Sequence, residues 1–244
     1  MLDYITRGDS DNPALLLLHA GGMTRGEWDP FLDSWSKHFY LIVPSALGHG
    51  ASPSVLELSI SAMADAVLEL LDHLGVEKAH MLGSSMGGAI ALWIVLTEPE
   101  RVDKLIIFRT SYRSSPAVHE GVQQMAEPEA WQQWRLDRWM SEQHEPQGGP
   151  DAWMEVTKKV ADAFDPATTE HMHDLGDLAT IASPTLIISG DRDPVVPLED
   201  AIAMYRTIPD AALWVVPNAT HFMGTEGWRR ESFEQEIIRF LRRQ

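Results

Sequence analysis

Ala79-His80-Met81-Leu82-Gly83-Ser84-Ser85-Met86-Gly87-Gly88 is a short apolar strand pattern that runs into a GxSxG turn and then into the apolar helical stretch Ala89 to Thr97. The small residues Gly83 and Gly87 let a strand reverse sharply into a helix, and such a turn pushes the Ser85 hydroxyl out above the sheet edge. Backbone amides at the N-terminus of the new helix then point at whatever Ser85 attacks. Ser85 is therefore the candidate nucleophile. A lone GxSxG also arises by chance in ordinary strand-to-helix turns, so its weight depends on what lies on either side.

On both sides strand and helix patterns alternate, the signature of a mostly parallel sheet covered on both faces. Leu2 to Thr6 reads as an edge strand, and Ala14-Leu15-Leu16-Leu17-Leu18 as a strand buried on both faces. The segment Trp28 to Lys37 places Trp28, Phe31, Leu32 and Trp35 on one helical face, and Phe39 to Val43 is the next strand. Ser59 to Leu74 carries Ile60, Met63, Val67, Leu70 and Leu71 at helical spacing, with Ser59 as N-cap and Gly75 just past the end. Val102 to Phe108 is another buried strand. Beyond Arg109 the β pattern stops until Pro184 to Ser189, a gap too long for a plain loop, and it reads as a helical insertion. Alternation then resumes with a helix near Leu198 to Thr207, the strand Leu213 to Val216, and a closing helix from about Trp228 to Arg242.

The 244 residues, 44% of them apolar, suit one large α/β domain with an insertion. A formal charge of −17 repels a phosphate backbone and gains nothing from an anionic membrane surface, so neither nucleic acid nor a membrane is the expected partner. The chain has no cysteine, which rules out disulfides and thiolate chemistry and fits a reducing compartment. With neither a signal-like start nor an apolar run of the ~18 residues a membrane helix needs, a cytoplasmic protein is expected.

Ligands of open parallel sheets sit outside the carboxyl ends of the strands, so three loops should meet there. Gly190-Asp191-Arg192-Asp193-Pro194 follows a strand directly and delivers one of two aspartates; spacing does not choose between them. His221 follows the strand ending at Val216 through Pro217-Asn218-Ala219-Thr220. A serine hydroxyl is a weak nucleophile at neutral pH and needs a base within hydrogen-bond reach, and that imidazole needs a carboxylate to fix its tautomer. Serine, acid and histidine, in that order and each just past a strand, fill the three roles.

The chain resembles the small, capped α/β-hydrolase fold proteins. Gly83-Ser84-Ser85-Met86-Gly87-Gly88 is similar to the family's nucleophile elbow, Gly190-Asp191-Arg192-Asp193 to its GxxD acid turn, Leu47-Gly48-His49-Gly50-Ala51-Ser52 to its GHGxS loop, and Thr220-His221-Phe222 to the loop bearing its histidine. The resemblance favours Asp193 as the acid. It also likens His19-Ala20-Gly21-Gly22 to the family's oxyanion loop, which implies the N–H groups of Gly21 and Met86 as oxyanion donors. Four positions depart from the pattern: Ala20, Ser45, Ser84 and Thr220 replace the usual Gly, Asp, His and Gly. The N-terminal hairpin is short, leaving about seven strands on the family pattern.

The implied organisation is a core of residues 1–110 and 179–244, with residues 111–178 as a helical cap inserted after the sixth family strand. A single helix from Pro128 to Glu142 would carry Trp131, Trp134 and Trp139. With Trp153, Gly22 and Phe222 these form the expected substrate pocket, which would favour an apolar acyl or alcohol group; the alternative is that the tryptophans simply hold the cap together. His171-Met172-His173-Asp174 looks like a metal cluster but lacks a matching carboxylate strand; an exposed helix end is expected there, with no metal and no cofactor. The expected activity is hydrolysis of a small carboxylic ester or lactone through an acyl-enzyme. The alternatives are carbon–carbon bond hydrolysis, thioester hydrolysis or acyl transfer by the same triad, or a small-molecule receptor that hardly turns over.

Overall fold

In the computed structural model, which describes residues 1–221 and 227–243, seven strands form one sheet: β1 (Tyr4–Arg7), β2 (Ala14–Leu18), β3 (Tyr40–Pro44), β4 (Ala79–Ser84), β5 (Val102–Phe108), β6 (Thr185–Gly190) and β7 (Ala211–Val216). Their order is β1-β3-β2-β4-β5-β6-β7. Only β1 runs antiparallel to its neighbour, β3; the other pairs are parallel. The predicted edge strand is shifted by two residues at its start and one at its end, and the other strands lie within about two residues of their predicted ends.

A parallel sheet must bury both faces, and successive side chains of a strand point to opposite sides. Leu16, Leu18, Ile42, Met81, Leu105, Ile107 and Ile187 enter one core, while the alternate Leu15, Leu17, Leu41, Val43, Leu82, Ile106, Phe108, Leu186 and Ile188 enter the other. The first core is closed by α2 (Ile60–His73), α3 (Met86–Thr97) and α9 (Leu198–Thr207). The second is closed by α1 (Leu32–Trp35), the 3₁₀ turn before it, and α10 (Gly227–Leu241). Trp28, Phe31, Leu32 and Trp35 are all buried there as expected, but the backbone from Arg25 to Phe31 is 3₁₀ rather than α. Pro30 inside that stretch has no N–H to donate to an α ladder.

α2 shows how local sequence sets an element's limits. The Ser59 hydroxyl accepts the Ala62 N–H at 3.2 Å, satisfying one of the helix's orphan donors. Ile60, Met63, Ala64, Val67, Leu70 and Leu71 line its buried face. Gly75 ends it at φ +68°, a conformation that costs glycine nothing.

Between β5 and β6 lie α4 (Pro116–Ala126), α5 (Pro128–Gln133), α6 (Asp137–His144), α7 (Ala152–Ala163) and α8 (Leu175–Leu178). The single helix expected from Pro128 to Glu142 is instead two. Arg135 adopts φ +59°, its N–H bonds the Gln132 carbonyl at 3.0 Å, and the Leu136 N–H reaches back to Trp131 at 2.9 Å. This paired closure is a Schellman stop made without glycine, so composition did not signal it. Among the described residues no helix is long and apolar enough to cross a membrane.

Candidate active site

The turn between β4 and α3 holds Ser85 at φ +52° and ψ −113°, a strained backbone that neighbouring contacts enforce. A Cβ on Gly83 would lie 2.3 Å from the Gly87 carbonyl oxygen, and one on Gly87 would lie 2.3 Å from that of Leu18. Only glycine fits either position. The Ser85 N–H donates to Phe108 at 2.9 Å, and the Ser85 carbonyl accepts from Gly88 and Ala89, so the residue is tied to β5 and to the first turn of α3.

The three strand-end loops meet as the topology requires. His221 Nε2 lies 3.1 Å from Ser85 Oγ, and its Nδ1 lies 2.8 Å from Asp193 Oδ2. Asp193 Oδ1 accepts the N–H groups of Val195 at 2.8 Å and Val196 at 3.0 Å. Burial pushes this carboxyl's pKa up, but the imidazole and the two amides outweigh it and hold the group below the usual carboxylate value. Asp191 is exposed, and its N–H pairs with Val216. Of the two aspartates left open by spacing, Asp193 is therefore the one on the ring.

Beneath these residues is a network that the sequence did not disclose. Glu27 Oε1 meets Arg109 Nη2 at 2.5 Å, with both side chains 5% exposed. Glu27 Oε2 accepts the Ala20 N–H at 2.7 Å, and Ser84 Oγ donates to Glu27 Oε1 at 2.9 Å. Arg109 Nε donates to Ser84 Oγ at 2.9 Å, and its Nη1 donates to the carbonyl of His221. One ion pair thus joins the loop before Gly21, the residue before Ser85 and the backbone of His221. Ser84, at a position where the resemblance led one to expect histidine, is the hydroxyl at its centre. Removing one partner of a buried pair leaves an uncompensated charge, so Arg109→Met is expected to lower unfolding free energy by about 3–5 kcal/mol. Urea denaturation measures this, and Glu27→Leu added to Arg109→Met should restore much of the loss.

A second buried set ties α6 to the core. His19, His49 and His144 each donate one ring N–H to a carbonyl and accept one backbone N–H, the pattern of a neutral ring. The carbonyls are those of Ala20 at 2.8 Å, Leu47 at 3.1 Å and Gly22 at 2.8 Å; the amides belong to Ala46 at 2.8 Å, Gly22 at 3.3 Å and Gly50 at 3.1 Å. Burial lowers all three pKa values, that of His144 to about 4. A folded-state value below the unfolded one near 6.5 means full stabilisation above 6.5 and loss as pH falls towards the folded value. Melting temperature should therefore drop between pH 6.5 and 4, where His144 alone contributes a slope of about 1.4 kcal/mol per pH unit and His19 and His49 add to it in the same direction. A flat profile would contradict the assignment, and His144→Gln should flatten it in part.

Ser85 opens onto a cleft lined by Gly21, Met86 and Arg109 on the core side and by Val118, Val122, Met125, Trp131, Val160 and Phe164 from the inserted helices. Of the tryptophans expected here, only Trp131 lines it. Trp134 is 37% exposed with its ring edge-on to Trp131, while Trp153 is buried and Trp139 half-buried in a small cluster behind, with Met140. With the helix broken at Arg135, no residue of α6 lines the cleft, and Trp139 packs in the cluster behind it. Gly22 also lies behind the cleft wall, where a Cβ would meet Thr157 at 3.1 Å and Trp131 at 3.2 Å. Phe222 lies outside the described residues.

The lining residues that the sequence reading did not name come mostly from α4 and α7, inside a stretch that the sequence marks only as a helical insertion, and from Val195 and Val196 just after Asp193. His171 is also among them: it is buried, with Nε2 3.0 Å from the Ser111 carbonyl oxygen, rather than at an exposed helix end. Asp174 does cap a helix, α8, by accepting the Asp177 N–H. Among the described residues no three metal-capable side chains cluster.

A family model described as "alpha/beta hydrolase fold" matches residues 13–161, and one described as "TAP-like protein" matches residues 152–243. The chain is 29% identical to a 2-hydroxy-6-oxo-6-phenylhexa-2,4-dienoate hydrolase of Burkholderia cepacia, over 93% of this chain and 87% of that one. It is 25% identical to 3-oxoadipate enol-lactonase 2 of Acinetobacter baylyi, over 99% and 93% respectively. Among solved structures, a hydrolase from Pseudomonas aeruginosa superposes with a TM-score of 0.77 at 28% identity, covering 98% of this chain and 94% of that one.

Proposed function

The chain belongs to the alpha/beta hydrolase fold family, and on that premise we propose that it is a serine hydrolase cleaving a small carboxylic ester or lactone through an acyl-enzyme. The observation that carries this reading is the continuous line of contacts from Ser85 Oγ through the His221 ring to the Asp193 carboxylate. Asp193 accepts a hydrogen bond from Nδ1–H, which keeps the proton on Nδ1 and leaves the Nε2 lone pair facing the hydroxyl. His221 takes the Ser85 proton as Oγ bonds to the carbonyl carbon, then returns it to the departing alkoxide. Water, deprotonated by the same nitrogen, releases the acid and restores the serine.

As the bond forms, negative charge develops on the carbonyl oxygen. Met86 is the first residue of α3, so its N–H has no acceptor inside the helix, and Gly21 stands beside it on the cleft wall. These two N–H groups are the proposed oxyanion donors, each contributing about 3–4 kcal/mol to lowering the barrier. Residues 111–178 form the proposed cap, which shields this chemistry from bulk water. The steps use only side chains and amides of the chain and call for no cofactor.

The relatives' names include a dienoate hydrolase and an enol-lactonase, and the same three side chains would begin hydrolysis of a lactone or of a carbon–carbon bond next to a carbonyl with the same attack. Steady-state assay with p-nitrophenyl acetate, butyrate and octanoate tests the ester reading. Release of nitrophenol above the spontaneous rate, abolished by His221→Gln, is expected. Tight ester binding without release would favour a receptor.

A further inference from the structure

Taking the hydrolase reading of Ser85 as its basis, we infer that the cleft selects an uncharged, apolar acyl group and rejects acyl groups that carry a carboxylate. The grounds are the charges around the cleft and the hydrogen bonds already made by its polar side chains.

Arg109 is the only lysine or arginine among the described residues that line the cleft. Its positive charge is already matched by Glu27 at 2.5 Å, and its Nε and Nη1 are committed to Ser84 and to the His221 carbonyl. Two carboxylates also stand close to the wall. Asp193 lies behind His221, and Asp200 stands behind the wall, where Ser111 Oγ donates to it at 2.6 Å. The segment 222–226, which lies outside the described residues, contains no lysine, arginine or histidine.

Among the described residues the polar side chains of the wall commit their donors elsewhere. Thr110 Oγ1 donates to the carbonyls of Phe108 and Ser85, and His171 Nε2 donates to the Ser111 carbonyl, which leaves its buried Nδ1 without a hydrogen-bond partner, as a lone pair that repels a carboxylate. Burial holds His171 neutral, so it supplies no cation either. What remains to meet an acyl chain is Val118, Val122, Met125, Val160 and Phe164. Such a wall favours methylenes, whereas a carboxylate entering it would lose its water with no countercharge to replace it. The chain's formal charge of −17 opposes an anion's approach as well.

The test compares two esters of equal acyl length, p-nitrophenyl valerate and mono-p-nitrophenyl glutarate. The expected result is a kcat/KM at least about a hundredfold higher for the valerate. A ratio near one, or a preference for the glutarate, overturns the inference. No turnover of either ester would overturn the hydrolase reading instead. The affinities of the two esters for Ser85→Ala, measured calorimetrically, then decide the charge preference independently, with equal affinities counting against it.

Glu27→Gln gives a second arm, since it removes the Glu27 charge that offsets Arg109 beside the cleft. Because both esters see the same variant, a general loss of activity cancels in the ratio, which should narrow at least about tenfold. Should that variant fail to fold, Val122→Arg places a cation on a half-buried part of the same wall and should narrow the ratio likewise. An unchanged ratio in a folded variant counts against the inference.

Discussion

Ser85→Ala lowers kcat for p-nitrophenyl butyrate by about 10⁵–10⁶-fold on this account, because the base and the carboxylate behind it act only through the Ser85 oxygen. The fold should survive. The elbow is shaped by Gly83, Gly87 and the backbone bonds of Ser85 to Phe108, Gly88 and Ala89, none of which needs the hydroxyl. The side chain's contact with His221 is one hydrogen bond, worth about 1 kcal/mol net. Initial rates set beside thermal unfolding separate the two effects. A variant within tenfold of wild type would mean that another group does the chemistry.

Asp193→Asn is expected to reduce kcat by about 10⁴-fold. The reason is a tautomer. Asparagine can keep the bonds from the Val195 and Val196 amides through its oxygen, so its NH₂ faces the ring and donates to His221 Nδ1. The ring proton then sits on Nε2 and points at Ser85, where a lone pair is needed. Asp191→Asn should leave the rate near that of wild type, since Asp191 is exposed and its bond to Val216 is made by the backbone. A larger loss at 191 than at 193 would reverse the assignment.

These expectations rest on features that differ in how openly the sequence displays them. The β4 turn is legible because a buried strand, two glycines and an apolar helix are contiguous, so local sterics alone require the serine to project. His221 and the acid are legible through topology, since a parallel sheet gathers its strand ends on one rim whatever the spacing between them. Turn propensity treats Asp191 and Asp193 alike; the resemblance favours Asp193, and the contact with the His221 ring selects it.

The Glu27–Arg109 pair is hidden for a different reason. Its partners are 82 residues apart, and each looks like a surface charge until the fold buries it. A cationic residue directly after the apolar run of β5 was the one local hint. For Trp139 the hidden feature is Arg135, where a helix stops without glycine or proline: periodicity runs on across the break and puts Trp139 on one helix with Trp131, whereas it packs in the cluster behind the cleft. His144 joins Gly22 and Gly50 only because α6 packs there, a contact that helical periodicity cannot reveal.

The most direct test of the central claim is the mass of the intact protein, and then of its peptides, after reaction with a fluorophosphonate. The account predicts a single adduct on the peptide containing Ser85, absent after His221→Gln and Ser85→Ala. An unlabelled wild-type protein, or an adduct carried by another residue, would contradict it.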